Sequence, residues 1–515
     1  MHLIGVIEHA RPVAVVLAAA LLCGCALAPA EPGEASTYAA APAGHGVLQQ
    51  YGNRIETELG PEESAYWLLD RADSALSVRL ALVDEAVSTL DFQYFIWEPD
   101  ASGRLVLHRL IHAADRGVRV RLLLDDLTLS GKDGEYAALD SHPLIEVRTF
   151  NPWTSRSRIG RVFEFMFNGR RLNHRMHMKT VLADGRFAII GGRNIGDRYF
   201  GLYDEFVQND LDIMAAGPIV ADVAESFDIY WNSARSYSIT DFVSGRKRRE
   251  QLEGHTARFE REYLDESERL SAFPLEPAGW RDYFEALTRT FSPGIGTLEY
   301  DSPAIDERLP EQIYAPFVDF VAAAREEVIL ATAYFVPDAQ FVELLGELVS
   351  RGVRVVILTN SLASNNHTIA HTGYKRWRRR LLDVGAELYE AHPEAQSILY
   401  YATPPTDPDM LGFHSKAAVV DRRWSFVGSP NIDPRSMRLN TEIGFFIDSE
   451  ALAAELASLL ERDIAPENAW RVTEAAGGDL QWIGNPRTLK RQPARGFGQR
   501  VIEFFLSLLP LKKQV

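Results

Sequence analysis

Thiols are almost absent from this chain. Its 515 residues include two cysteines, Cys23 and Cys25, both near the amino terminus, so the body has no disulfide framework and no cysteine metal ligands. A membrane-length apolar run is missing as well. The apolar stretch from Val13 to Leu22 is too short to span a bilayer. The third absence is excess positive charge. A formal net charge of −17 argues against non-specific nucleic-acid binding as the main role, because phosphate contacts need a basic surface, though a local basic pocket remains open. What is present is ordinary: 46% hydrophobic and 24% charged residues, typical of a globular protein. The length exceeds what one core supports, which predicts two domains or more.

The segment "RPVAVVLAAALLCGCALAPAEPG" reads as a secretory signal, an apolar run followed by small residues. The charge before it is sparse, Arg11 against Glu8. "LCGC" also resembles a bacterial lipoprotein signal, with Leu22 three places before Cys25 and Gly24 beside it. That implies cleavage of residues 1–24, lipidation of Cys25 and a lipid-anchored, periplasm-facing place in the bacterial cell envelope. A plain secretory signal is the alternative. Residues 25–50 are rich in Ala, Pro and Gly without apolar periodicity, and read as a flexible tether.

The body repeats itself. "TLDFQYFIW" (89–97) is an apolar strand, and "RLVLHRLIHAADRGVRVRLLLDD" gives a helix, a glycine stop and a second strand, a βαβ unit. "EEVILATAYFVP" and "AQFVELLGELVSRGVRVVILTN" follow the same order, and "RGVRV" recurs 235 residues on. These matched offsets mark an internal duplication. Each half is expected to be an α/β/α sandwich with a mixed sheet. The expected divisions are a first half at 51–245, a charged linker at 246–295, a second half at 296–468 and a tail at 469–515. "RKRR" (246–249) reads as a solvated part of that linker.

"HRMHMKTVLADGRFAIIGGRN" and "HSKAAVVDRRWSFVGSPN" carry the chemistry. Each has His, one residue, Lys, four residues, Asp, six residues, Gly, and Asn three places later. The members are His177, Lys179, Asp184, Gly191 and Asn194, then His414, Lys416, Asp421, Gly428 and Asn431. Strand residues two apart share a face, so each His projects with its Lys. If the halves pack about a pseudo-two-fold axis, both sets converge on one cleft. Two lysines and two asparagines then offer donors to a phosphodiester's non-bridging oxygens. One imidazole can attack phosphorus while the other protonates the leaving alkoxide, with no metal or cofactor required. Asp184 and Asp421 adjoin turns, and a turn-and-salt-bridge role is expected of them. Asp210 and Glu442, in register in the two halves, are the candidates to orient the histidines. The second copy has Ser429 where the first has Gly192, a hydroxyl donor without a counterpart that Arg193 is expected to replace.

With both motif copies intact, the chain resembles the phospholipase D superfamily. "DRGVRVRLLLDD", "SHPLIEVRTFNP", "RRLNHRMHMK", "IIGGRNIGDRYF", "GFHSKAAVVD" and "GSPNIDPRSMRLNTE" resemble bacterial cardiolipin synthases of the C type. The resemblance implies phosphatidyl transfer through a phosphohistidine, with His177 as nucleophile and His414 as acid and then base, or the reverse. It implies phospholipid substrates, phosphatidylglycerol with phosphatidylethanolamine as a further candidate, at a membrane surface. A phospholipase D using water is the alternative, followed by a nucleic-acid phosphodiesterase and a non-catalytic lipid-binding lipoprotein. A monomer is expected, with no nucleic-acid partner.

Two further segments carry expectations. "HTIAH" (367–371) has histidines at zinc-compatible spacing but lacks the glutamate of the metalloprotease motif and a third ligand. It is read as opening a substrate-entrance helix in which Tyr374 and Arg376 meet anionic headgroups, or else as a solvated basic face. The end of the tail, "GFGQRVIEFFLSLLPLKK", is read as lying on a membrane or docking on the body.

Overall fold

The computed structural model describes residues 36–129, 131–243, 266–304 and 312–507. The signal segment, Cys25 and the "RKRR" run lie outside the described residues.

The expected βαβ units form in both halves. Strand Thr89–Tyr94 is buried on both faces, as its β-branched and aromatic content favours. Helix Ala101–Asp115 begins where the Asp100 side chain accepts the Gly103 N–H, satisfying one of the orphan donors of the first turn. It ends before Gly117, which sits at φ 102°, and the chain returns as Arg119–Asp125, parallel to the first strand. The second half repeats each step: Glu327–Thr332, helix Ala339–Ser350 capped by Asp338, Gly352 at φ 89°, and parallel strand Arg354–Asn360. "RGVRV" is thus a helix stop that launches a strand, used twice.

Each half extends this parallel core with the antiparallel hairpin of its motif. Lys179–Ala183 pairs with Thr89–Tyr94 and with Phe187–Gly191. Lys416–Val420 pairs likewise with Glu327–Thr332 and Trp424–Gly428. One strand, Ser292–Tyr300, joins the two sheets. Its start pairs with Ser64–Tyr66 of the first half and its remainder with Ile443–Asp448 of the second. Helices cover the outer face of each sheet, and the inner faces meet in a common core that includes Ile190, Ile213, Val419, Val427, Phe445 and Ile447, all essentially inaccessible. At ~1.5–3 kcal/mol per fully buried apolar side chain these six contribute roughly 9–18 kcal/mol, comparable to the net stability of a domain. The halves therefore hold together as one body.

Three expected divisions change. Residues 36–50 are not a free tether. The Thr37 N–H donates to Asn232 and the Ala39 N–H to Asp228, while Arg119 and Arg121 donate to the Tyr38 and Thr37 carbonyls. Helix Val47–Leu59 then buries Leu48, Tyr51 and Ile55. The expected linker is also folded from 266 onward, with Leu270, Phe273 and Phe284 buried and the Trp280 indole donating to Asp84. The second sheet runs on into the expected tail, because Ala469–Glu474 pairs with Glu387–Ala391 and then with Leu480–Ile483. Ala, Pro and Gly content marks absent periodicity, and says nothing about backbone amides that find acceptors elsewhere.

The two motif aspartates occupy their turns at φ 54° and 51°. Their partners are backbone amides instead of the expected cations. The buried Asp184 carboxylate accepts the N–H groups of Val87, Ser88 and Thr89. Asp421 accepts those of Arg325, Glu326 and Glu327. Each therefore pins the entry of the strand that supports its motif. Asp184→Asn removes the charge and one acceptor from such a cluster, and should lower stability by about 1–3 kcal/mol in denaturant titration. Turnover per folded molecule should change less than threefold, and a folded but inactive variant would assign the aspartate to the chemistry.

Candidate active site

Two very short parallel pairings assemble the site. Arg175–Met176 pairs with Asn440–Thr441, so the next residues, His177 and Glu442, fall side by side. Leu411–Phe413 pairs with Val207–Asn209, and the next residues there are His414 and Asp210. The backbone extends each register by one bond, from the His177 N–H to the Thr441 carbonyl and from the His414 N–H to the Asn209 carbonyl. Each histidine thus meets the carboxylate of the opposite half. His177 Nδ1 lies 2.8 Å from Glu442 Oε2, and His414 Nδ1 lies 2.5 Å from Asp210 Oδ2. An Nδ1–H donated to a carboxylate leaves each Nε2 as the free base. Asp210 and Glu442 each lie two residues before the strand partner of their motif glycine, Asp212 opposite Gly191 and Gly444 opposite Gly428, which is the register expected of them.

The lysines follow on the same strand faces. Lys179 Nζ donates to the His177 carbonyl and Lys416 Nζ to the His414 carbonyl. Lys416 Nζ also lies 3.0 Å from His414 Nδ1. Both lysines are 1% exposed. Burial pushes Lys179 down to about 7 and Lys416 down to about 8, against the upward pull of Glu442 and Asp210. Burial also holds both histidines below the ordinary imidazole range, opposed by their carboxylates. Burial alone would raise the carboxylates, but His177 and Lys179 hold Glu442 low, and His414 and Lys416 hold Asp210 low. The empty site therefore holds neutral imidazoles, ionised carboxylates and two lysines whose charge is poorly solvated. An anion arriving between the lysines restores that solvation, which suits a phosphodiester.

The asparagines stand beside these groups. Asn194 Oδ1 accepts the Ile96 N–H, and Asn431 Oδ1 faces the Thr332 hydroxyl at 3.5 Å. Ser429 takes a different part from the one expected. Its hydroxyl donates to Glu442 at 2.5 Å and accepts the Ile443 N–H, so it fixes the carboxylate instead of facing the cleft. Gly192 opposite it is a steric requirement, since a Cβ there would fall 2.1 Å from Asp210 Oδ1. Arg193 does not replace the missing hydroxyl. Its guanidinium bonds the carbonyls of Asp70 and Tyr199 and the Asp212 carboxylate.

Tyr374 and Arg376 are not at the cleft. Tyr374 is buried in the outer core of the second half and donates to Glu390. Arg376 is exposed and bonds the Ser507 carbonyl. His371 is buried with Nε2 against the Arg378 guanidinium at 3.0 Å, a cation where a zinc pair would need a third ligand. Two aromatic neighbours went unread: Phe95, edge-on to His177 at 4.9 Å, and Tyr199, edge-on to His414 at 5.5 Å. Phe95 directly follows strand Thr89–Tyr94, but composition does not say which side chain at a strand end faces the partner half.

A family profile described as cardiolipin synthase, PLD-like domain, matches residues 80–231 and 317–464, one match per half. The chain belongs to this family. Cardiolipin synthase C of Escherichia coli is 37% identical over 88% of this chain and 96% of its own length. The major cardiolipin synthase of Bacillus subtilis is 26% identical over 80% of this chain and 71% of its own. A solved phosphatidylserine synthase of Haemophilus influenzae shares the fold, with a TM-score of 0.55 at 13% identity, over 82% of this chain and 91% of that one.

The asymmetry around the carboxylates makes a direct prediction. Gly192→Ser copies the second half into the first, yet it should displace Asp210 and lower turnover at least tenfold, since about 1 Å of misplacement can cost a hundredfold. Ser429→Ala should be milder. Equal activity of Gly192→Ser and the parent chain would show that Asp210 does not need its present position.

Proposed function

We propose that this chain is a phosphatidyl transferase that forms cardiolipin. The crossed His–carboxylate pairs carry the reading, because they place two imidazole bases and two lysines in one buried site. His177 Nε2 attacks the phosphorus of a phospholipid, and the bond to the headgroup oxygen breaks as His414 protonates that oxygen. The phosphatidyl group remains on His177. The hydroxyl of a second lipid, phosphatidylglycerol, gives its proton to His414 and attacks phosphorus, and the His177–phosphorus bond breaks. The donor is phosphatidylglycerol or phosphatidylethanolamine. Lys179, Lys416, Asn194 and Asn431 face the non-bridging oxygens, where negative charge grows in each transition state. Glu442 and Asp210 hold the ring tautomers and stabilise each imidazolium as it forms. Cys25 supports a lipid-anchored location in the cell envelope, facing the periplasm.

Lipid extracts of cells expressing the chain should gain cardiolipin, whereas His177→Ala, His414→Ala, Lys179→Ala and Lys416→Ala should each lose at least a thousandfold in turnover. Single turnovers quenched in denaturant at mildly alkaline pH, where a histidine–phosphorus bond survives, should trap label on His177. Label on His414 alone would exchange the two roles, release of phosphatidic acid in place of cardiolipin would make water the acceptor, and activity retained in both histidine variants would overturn the composite site.

The pH profile tests the carboxylates. A neutral nucleophile and an acid protonated in the substrate complex give a bell-shaped kcat. The Glu442 charge raises the titration of His177, so Glu442→Gln lowers it and moves the acid limb to lower pH. Asp210→Asn lowers the titration of His414 and moves the basic limb to lower pH. Stopped assays across pH 4–10 should show the two limbs moving separately, and unmoved limbs in both variants would mean that the carboxylates do not govern the rings.

A further inference from the structure

Two helices present apolar faces to solvent. On Arg158–Asn173, Ile159, Val162, Phe163, Phe165, Met166 and Phe167 are exposed, Phe167 at 78%. On Phe497–Ser507, Phe497, Ile502, Phe504 and Phe505 are exposed, Phe497 at 82%. Patches of this size mark an interaction surface. Among the described residues these helices span 16 and 11 residues, too short to cross a bilayer.

The two attach at equivalent places. The approach to the first helix is tied to Asp126, which accepts the Trp153 N–H at 2.8 Å and pairs with Arg156 at 2.6 Å. Asp126 directly follows strand Arg119–Asp125. The second helix is tied to the loop after Arg354–Asn360: Arg495 donates to the Asn365 carbonyl and Gln499 to the Leu362 carbonyl. Those strands correspond in the duplication, 235 residues apart. Both loops lie at the carboxyl ends of the parallel strands. The motif lysines lie at that same end, Lys179 opposite Tyr94 and Lys416 opposite Thr332. The first helix also leads straight into the site, for Arg435 of the second half grips Asn173, four residues before His177.

We infer that these helices are paired feet that seat the cleft end of both halves on an anionic bilayer. The inference rests on the lipid-transfer reading, and deepens it by naming how substrate is reached. Charge selects the occupant. The first helix carries Arg158, Arg161, Arg170 and Arg171, and its Glu164 is paired with Arg171. On the second, Glu503 is buried against Lys375. A basic apolar helix fits anionic headgroups, cations among phosphates and aromatic rings at the acyl boundary. A second copy would instead oppose like charges. The tail was expected to lie on a membrane or to dock on the body, and there docking and exposure coexist, with Glu503 inward and the phenylalanines outward.

The scarcity of cysteine makes the test simple. In the full chain with Cys23→Ser and Cys25→Ser, single cysteines replace Phe167, Phe504 or Ser350, the last at the opposite end of the sheets, and each is labelled with an environment-sensitive fluorophore. On vesicles of phosphatidylglycerol and phosphatidylcholine, the labels at 167 and 504 should shift to the blue and lose at least threefold in quenching by iodide, with the label at 350 unchanged. Adding His177→Ala should leave the shift intact, and Phe163→Ser with Phe167→Ser should weaken vesicle binding at least fivefold while turnover of dispersed short-chain lipid stays within twofold. No shift at 167 and 504 with short-chain turnover intact would overturn the inference alone. A shift that follows protein concentration without vesicles would identify a second copy as the occupant and also overturn it. A vesicle-dependent shift with no turnover of any lipid would uphold the footing and sink the transfer reaction.

Discussion

The bonds from each histidine to the carboxylate of the other half organise the whole protein. Glu442 and Asp210 are fully buried, and a buried carboxylate that loses its partner costs about 3–5 kcal/mol. Separating the halves would strand both at once, in addition to exposing the common apolar core. The lead-in strands are two and three residues long, too short to stand alone. They exist because the sheets hold them in place, and they in turn bring ring and carboxylate within bonding distance. Duplication alone would give two half-sites; the crossing makes one site from them.

The repeat made the chemistry readable before any coordinates. One His–Lys strand is a weak signal, whereas two copies with equal offsets left little other explanation for His177, Lys179, His414 and Lys416. Strand alternation states which residues share a face, and it placed each His with its Lys. It says nothing about which half supplies the neighbour. The pairing of His177 with Glu442 across 265 residues therefore had to come from the fold. The turn role of Asp184 was legible because Asp-Gly fixes local backbone, while its amide partners belong to the entry of a distant strand.

Side-chain orientation is the part that composition leaves open. "HTGYKRWRRR" and "RVFEFMF" both mix charge with apolar side chains, and composition does not tell which of them turns inward. Tyr374 looked like a headgroup contact and is core, satisfied by Glu390. Phe163 and Phe167 follow the spacing of a buried helix face and are exposed. Ser429 looked like a donor to substrate, but its nearest acceptor is the carboxylate of its own half.

The two copies have not stayed equal around the histidines, and that inequality bears on the proposed roles. Glu442 reaches its ring with a longer side chain steadied by Ser429, whereas Asp210 reaches its ring with a shorter one beside a glycine that makes room for it. Lys416 stands 3.0 Å from the His414 ring nitrogen and opposes any proton added there. In the empty site that works against an acid at His414. A phosphodiester held between the lysines changes the balance, since its single negative charge offsets part of theirs and leaves Asp210 to stabilise the imidazolium. Buried cations that suppress protonation in the free site thus oppose it less once the anion is bound, so the general acid becomes available when there is a leaving group to receive its proton.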